Sequence, residues 1–137
     1  MVVDMNPLEA RTRDLLTALE SGAAGERLRP YFHPDAVQVE HPSRVVPAGR
    51  TRPLADMLAA SHVGANLFAT QRYRIRSLIT AESLVALQLR WTGVLAEPLG
   101  EQAAGAELWA DVAMFLTYDD AGRITRQESY DCYPAPV

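Results

Sequence analysis

The sequence predicts an α+β fold in which about three N-terminal helices pack on one side of a curved, mostly antiparallel sheet. Three observations carry that prediction. Apolar residues recur at helical spacing in the first half of the chain and alternate at strand spacing in the second. The breaks between these segments hold Gly, Pro, Asn and Asp. Helices gathered before a run of strands give separate layers rather than alternating βαβ units. With 137 residues the chain has enough material for one core and too little for two, so 1–137 reads as a single domain.

Pro7 to Ser21 reads as the first helix. Asn6 can cap it, Pro7 suits its first turn, Leu8, Leu15, Leu16 and Leu19 recur at helical spacing, and Gly22 stops it. Gly25 to Tyr31 reads as a short second helix, ended by turn signals in Phe32-His33-Pro34-Asp35. Ala36 to His41 alternates as a strand and Pro42 closes it. A loop with Pro47, Gly49 and Pro53 follows, then a third helix over Leu54 to Phe68. Four strands complete the chain: Arg72 to Thr80, Leu84 to Ala96, Glu107 to Tyr118 and Arg123 to Tyr133. Asp119-Asp120-Ala121-Gly122 supplies the last hairpin turn.

Composition narrows the function classes. A net charge of −4 and only scattered arginines argue against nucleic acid or an anionic membrane as partner. No apolar run approaches the roughly 20 residues that span a bilayer. Met1-Val2-Val3-Asp4 lacks a basic flank leading into an apolar stretch, so no secretory signal is read and a cytoplasmic location is expected. Cys132 is the single cysteine, which excludes an internal disulfide and a cysteine-based zinc cluster. It is expected to be a small packed residue. No His, Asp or Glu pair stands at short ligand spacing on one face, so neither a metal nor another cofactor is expected.

Several motifs together resemble the nuclear transport factor 2-like superfamily, which includes steroid delta-isomerases, limonene epoxide hydrolases and SnoaL-like polyketide cyclases. They are Phe32-His33-Pro34-Asp35-Ala36-Val37, Val39-Glu40-His41-Pro42, Asp120-Ala121-Gly122-Arg123-Ile124 and Tyr130-Asp131-Cys132-Tyr133. The resemblance implies a cone-shaped half-barrel enclosing a pocket for a small organic molecule. It runs from about Leu8 to the C-terminus. The isomerases' proton-shuttling carboxylate matches His41, itself a competent base near neutral pH, but their two oxyanion donors match Leu15 and Ala113, which cannot donate. The epoxide hydrolases' arginine matches Arg90, while their two aspartates match Thr92 and Ser129. Both known mechanisms are therefore rejected. SnoaL-like cyclases carry an acid/base aspartate late in the last strand, usually near a histidine; Asp131 is the match, and only His33, His41 and His62 exist to accompany it.

Alternation places Gln127, Ser129 and Asp131 on one face of the last strand, and the resemblance turns that face into the cavity. The same parity brings in Trp109, Asp111, Ala113 and Phe115 from the strand before, and Gln88, Arg90 and Thr92 from the strand before that. His41 closes the first strand. Asp131 and His41 are thus the candidate catalytic residues; Arg90, Trp109, Asp111, Phe115, Gln127 and Ser129 are the candidate ligand-binding ones. Plainer readings stand beside these: an ion pair between Asp131 and Arg90, a histidine bonded to a loop carbonyl, aromatics that belong to the core.

The parity carries a conflict. Leu87, Leu89, Trp91, Val112, Met114 and Leu116 share the opposite faces of these two strands. A monomer would turn them inward and send Arg90 to solvent; the resemblance sends them outward, which requires a second subunit. A homodimer joined through the outer sheet face is expected on that ground. The functional expectation is a cofactor-free enzyme of the isomerase, cyclase or lyase type acting on a cyclic or polyketide-like substrate. A non-catalytic ligand-binding module and a partner-binding accessory domain are the alternatives.

Overall fold

The computed structural model describes residues 5–134, so Met1 to Asp4, the segment read for a secretory signal, lie outside it. The chain forms α1 (Pro7–Glu20), two 3₁₀ turns (Gly25–Arg27 and Arg29–Tyr31), β1 (Phe32–Glu40), β2 (Arg50–Pro53), α2 (Leu54–Leu67), β3 (Phe68–Ala81), β4 (Leu84–Leu95), β5 (Glu107–Tyr118) and β6 (Ile124–Cys132). The strands make one sheet in the order β2-β1-β6-β5-β4-β3. Every pairing is antiparallel except that of β1 with β6. This is the expected α+β cone, with the helices lying across the concave face.

Local chemistry explains the elements. Asn6 caps α1 by accepting the Leu8 N–H at 2.8 Å, and Pro7 occupies its first turn. The Thr12 hydroxyl, fully buried, bonds the Tyr118 hydroxyl at 2.7 Å and pins α1 to β5. The segment expected as a short helix is only the two 3₁₀ turns. His33-Pro34-Asp35, expected as a turn, lies inside β1. There the register against β6 jumps from Phe32↔Ile124 to Val37↔Arg126, and the Asp35 N–H donates to His33 Nδ1 at 2.9 Å. The turn-forming residues are spent on this strand irregularity, which bends the sheet. β2 was expected as loop. Arg-Thr-Arg-Pro has no apolar alternation, and Pro53 is tolerated because β2 is an edge strand.

The core settles the parity conflict against the resemblance. Leu87, Leu89, Val112, Met114 and Leu116 are buried against the helices, and Trp91 packs partly buried against them. Burying such side chains contributes about 1.5–3 kcal/mol each, and one domain can do so only by turning this face inward. Consequently Arg90, Trp109, Asp111 and Phe115 lie on the convex face, outside the cone, contrary to expectation. The apolar outer patch on which the expected homodimer rested does not form, and that argument for dimerisation falls with it. Cys132 is exposed rather than packed. Among the described residues no helix is long and apolar enough to cross a membrane.

Candidate active site

β6 obeys the expected parity. Its register sets Asp131 opposite Val112, Ser129 opposite Met114 and Gln127 opposite Leu116, so all three share the inward face of β5. The other face carries Glu128, Tyr130 and Cys132, of which Tyr130 and Cys132 are exposed. Asp131, Ser129 and Gln127 line a cavity of about 320 Å³. The parallel pairing of β1 with β6 places Gln38 beside Gln127 and Glu40 beside Ser129 on the same wall.

The opposite wall comes from β3 and β4. Tyr73 and Gln71 reach in from β3, and Trp91 closes the side, its Nε1–H donating to Gln71 Oε1 at 2.9 Å. That bond directs the Gln71 amide group. Trp91 stands edge-on to Phe68 with centroids 5.1 Å apart. Gly93 makes room for this pair: a Cβ there would lie 2.6 Å from Trp91 and 2.7 Å from Phe68. Leu89, Ala110, Val112 and Met114 form the apolar floor.

Electrostatics single out Asp131. Burial is the main cause raising its pKa, the Glu40 charge adds to this, and Ser129 acts in the opposite sense. Glu40 itself has company: Arg52 Nη2 lies 2.6 Å from Oε1 and Arg50 Nη2 3.2 Å from Oε2. Arg52 is itself lowered, chiefly by burial. Burial first, then the Asp131 and Glu40 charges, push the Tyr133 phenol up to about 12. Burial also raises Tyr73, with Glu20 and Asp131 adding to it. Both phenols therefore keep their protons and remain hydrogen-bond donors at neutral pH.

The other expected site residues are elsewhere. His41 sits on the convex face, stacked on Tyr130 with ring centroids 3.9 Å apart, its Nε2 2.6 Å from Glu128 Oε2. Arg90 forks onto Asp111 at 2.9 and 3.1 Å and lies over the Trp109 ring at 4.1 Å. Its partner is therefore Asp111 and not Asp131. Phe115 meets Tyr130 edge-on, also outside. Sequence reasoning missed Gln38, Glu40, Tyr73, Trp91 and Tyr133. Tyr133 shares the parity of Asp131, and Gln38 with Glu40 the parity of one another, so alternation alone could have proposed them. Among the described residues no three His, Cys, Asp or Glu gather as a metal site.

The model of the SnoaL-like domain family matches residues 12–127. This chain belongs to the SnoaL-like family. It thereby falls within the nuclear transport factor 2-like superfamily, and its cone is a SnoaL-like cone. No curated protein matches the sequence. Among solved structures, IdmH, a candidate polyketide cyclase from Streptomyces antibioticus, has a TM-score of 0.75 at 21% identity, over 92% of this chain and 92% of its own. AclR, a candidate hydroxylase from Streptomyces galilaeus, has a TM-score of 0.76 at 18% identity, over 93% of this chain and 76% of its own. A candidate SnoaL-like polyketide cyclase from Shewanella putrefaciens CN-32 has a TM-score of 0.77 at 13% identity, over 94% of this chain and 92% of its own. At such identities the likeness is one of fold.

Proposed function

We propose that this SnoaL-like protein is an acid–base enzyme of the cyclase or isomerase type, acting on a small cyclic, polyketide-like ketone with Asp131 as its proton-transfer group. The observation that carries this reading is a carboxyl on the cavity wall, raised in pKa by burial and by the Glu40 charge, with protonated phenols nearby. A raised carboxyl is both a stronger base once ionised and a usable acid nearer neutral pH. The candidate cyclase IdmH, alike in fold, fits the same reaction class.

The chemistry follows from the wall. Asp131 carboxylate takes the proton from a carbon next to a ketone, and the electron pair moves onto the ketone oxygen. The Tyr133 hydroxyl and the Gln127 amide supply donors to that oxygen. The enolate then forms a bond to a second carbonyl carbon, or is reprotonated at a different atom, and the Asp131 carboxyl returns its proton. Nothing is oxidised or reduced. Glu40, held by Arg50 and Arg52, raises the proton affinity of Asp131.

The test is α-proton exchange in deuterium oxide, followed by NMR on cyclic aryl ketones such as 1-tetralone. Protein-dependent exchange that disappears in Asp131→Asn is expected. Exchange at the background rate with the wild type, or equal exchange in the variant, overturns the reading. A second reading, a non-catalytic carrier, is favoured by the outward turn of His41, which leaves the cavity without a histidine. Ligand binding without any exchange is its signature.

A further inference from the structure

Beside the polar lobe lies a second one of about 570 Å³. Gln38, Arg50, Gly64, Tyr73 and Gln127 border both, so the two lobes are continuous. Their walls differ in chemistry. The second lobe is closed by Leu15 and Leu19 of α1, Phe32 of β1, Met57 and Leu58 of α2, and Phe68. Of the polar groups at its border, Gln38, Arg52 and Ser61 are already engaged, while Tyr73 and Gln127 stand at the junction with the polar lobe. Arg52 donates to Gln38 Oε1 at 3.0 Å and to Glu40 Oε1 at 2.6 Å. Ser61 Oγ donates to the Leu58 carbonyl and accepts the Gly25 N–H at 2.8 Å. What the lobe offers an occupant is hydrocarbon. A polar group entering the helix-lined end, away from Tyr73 and Gln127, would lose its water without finding a partner, whereas an apolar one gains by leaving water. The passage between the lobes is kept open at Gly64, where an added Cβ would meet nothing within 4 Å.

We propose that the helix-lined lobe is a subsite for a hydrocarbon arm, so that the ligand class is an oxygenated ring carrying an apolar chain. This rests on the reading that the Asp131 lobe receives the oxygenated ring. Ring and chain would then be sorted by the two walls, with Arg50, Tyr73 and Gln127 at the junction. Chain length becomes a determinant of affinity, and the residues that set it are those of α1 and α2 rather than those of the sheet.

The test is calorimetric titration of the full chain with resorcinol and its 5-methyl, 5-propyl, 5-pentyl and 5-heptyl homologues, each below its micelle concentration. Affinity should rise about fourfold for each methylene buried (~0.8 kcal/mol). Ala60 borders the second lobe and not the first. Ala60→Phe should therefore flatten the dependence on chain length; Ala60→Leu is the milder variant should the first not melt cooperatively. Asp131→Asn should weaken all homologues by a common factor and keep the slope. A wild-type affinity that ignores chain length, while Asp131→Asn still weakens binding, overturns the subsite and spares the proposed function. A slope that survives in both Ala60 variants also overturns the subsite. A chain-length slope that Asp131→Asn leaves untouched, with no common loss, supports the subsite and counts against Asp131 as the ring's partner. If no homologue binds, both fall.

Discussion

Replacing Gly64 by alanine should make the protein more stable. Gly64 lies within α2, in the last third of the helix, and its carbonyl accepts the Phe68 N–H. A glycine at such a position is less favourable than alanine by about 0.8–1 kcal/mol, because the unfolded chain loses more freedom there. That gain is usually offset wherever the new methyl meets a neighbour. Here it meets nothing within 4 Å, because it projects into the cavity. The backbone is already helical, so alanine adds no strain. With unfolding entropy of roughly 2 cal/mol/K per residue over 137 residues, ~1 kcal/mol corresponds to a rise of about 4 °C in melting temperature. Thermal melts followed by circular dichroism at one pH and one protein concentration measure it. A second variant, Gly64→Phe, should keep only part of the gain in helix stability, since an aromatic is a poorer helix former than alanine, while filling the junction of the two lobes, and ligand binding should then be lost. A melting temperature that falls in Gly64→Ala would mean that the methyl meets packed atoms, and the cavity at α2 would not exist as described.

Three further expectations follow from the same geometry. Asp131→Asn should melt higher than the wild type near pH 7 and no higher below about pH 4. The folded pKa lies above the unfolded value, so ionising this carboxyl opposes folding as pH rises past the usual carboxylate range, and asparagine removes that opposition; melts across that range check it, and parallel curves would contradict the burial of the carboxyl. His41→Ala should leave the pH profile of any activity unchanged, since the ring stacks on Tyr130 outside the cone; loss of a limb of the profile would return His41 to the mechanism. Leu89→Ala should cost about 2–5 kcal/mol in urea denaturation, because Leu89 is 1% exposed at the floor of the cone. A cost under about 1 kcal/mol would point to an outward Leu89 and revive the rejected parity.

Much of the molecule follows from local pattern. β5 spans Glu107–Tyr118 as expected, and α1, α2 and β4 end within a residue of their expected limits. These elements are long, strongly periodic and bounded by good caps or turns, so short-range chemistry suffices to define them. The inward set Gln127, Ser129 and Asp131 was legible too, because a strand's alternation places every second side chain on one face whatever the surroundings. Local pattern cannot state which of two faces is the inside. On β4 and β5 that choice was made by the helices, which take the apolar face and leave Arg90 and Asp111 to pair in solvent. Nor can it state which distant segments meet. Glu40 reaches the neighbourhood of Asp131 only because β1 lies parallel to β6, and Arg52 reaches Glu40 only because an unassuming edge strand pairs with β1. The sequence by itself determined the long elements, the family and the carboxyl on the last strand. The tertiary structure decided that carboxyl's company, because the desolvation and neighbouring charge that set its proton affinity act through space, between residues far apart along the chain.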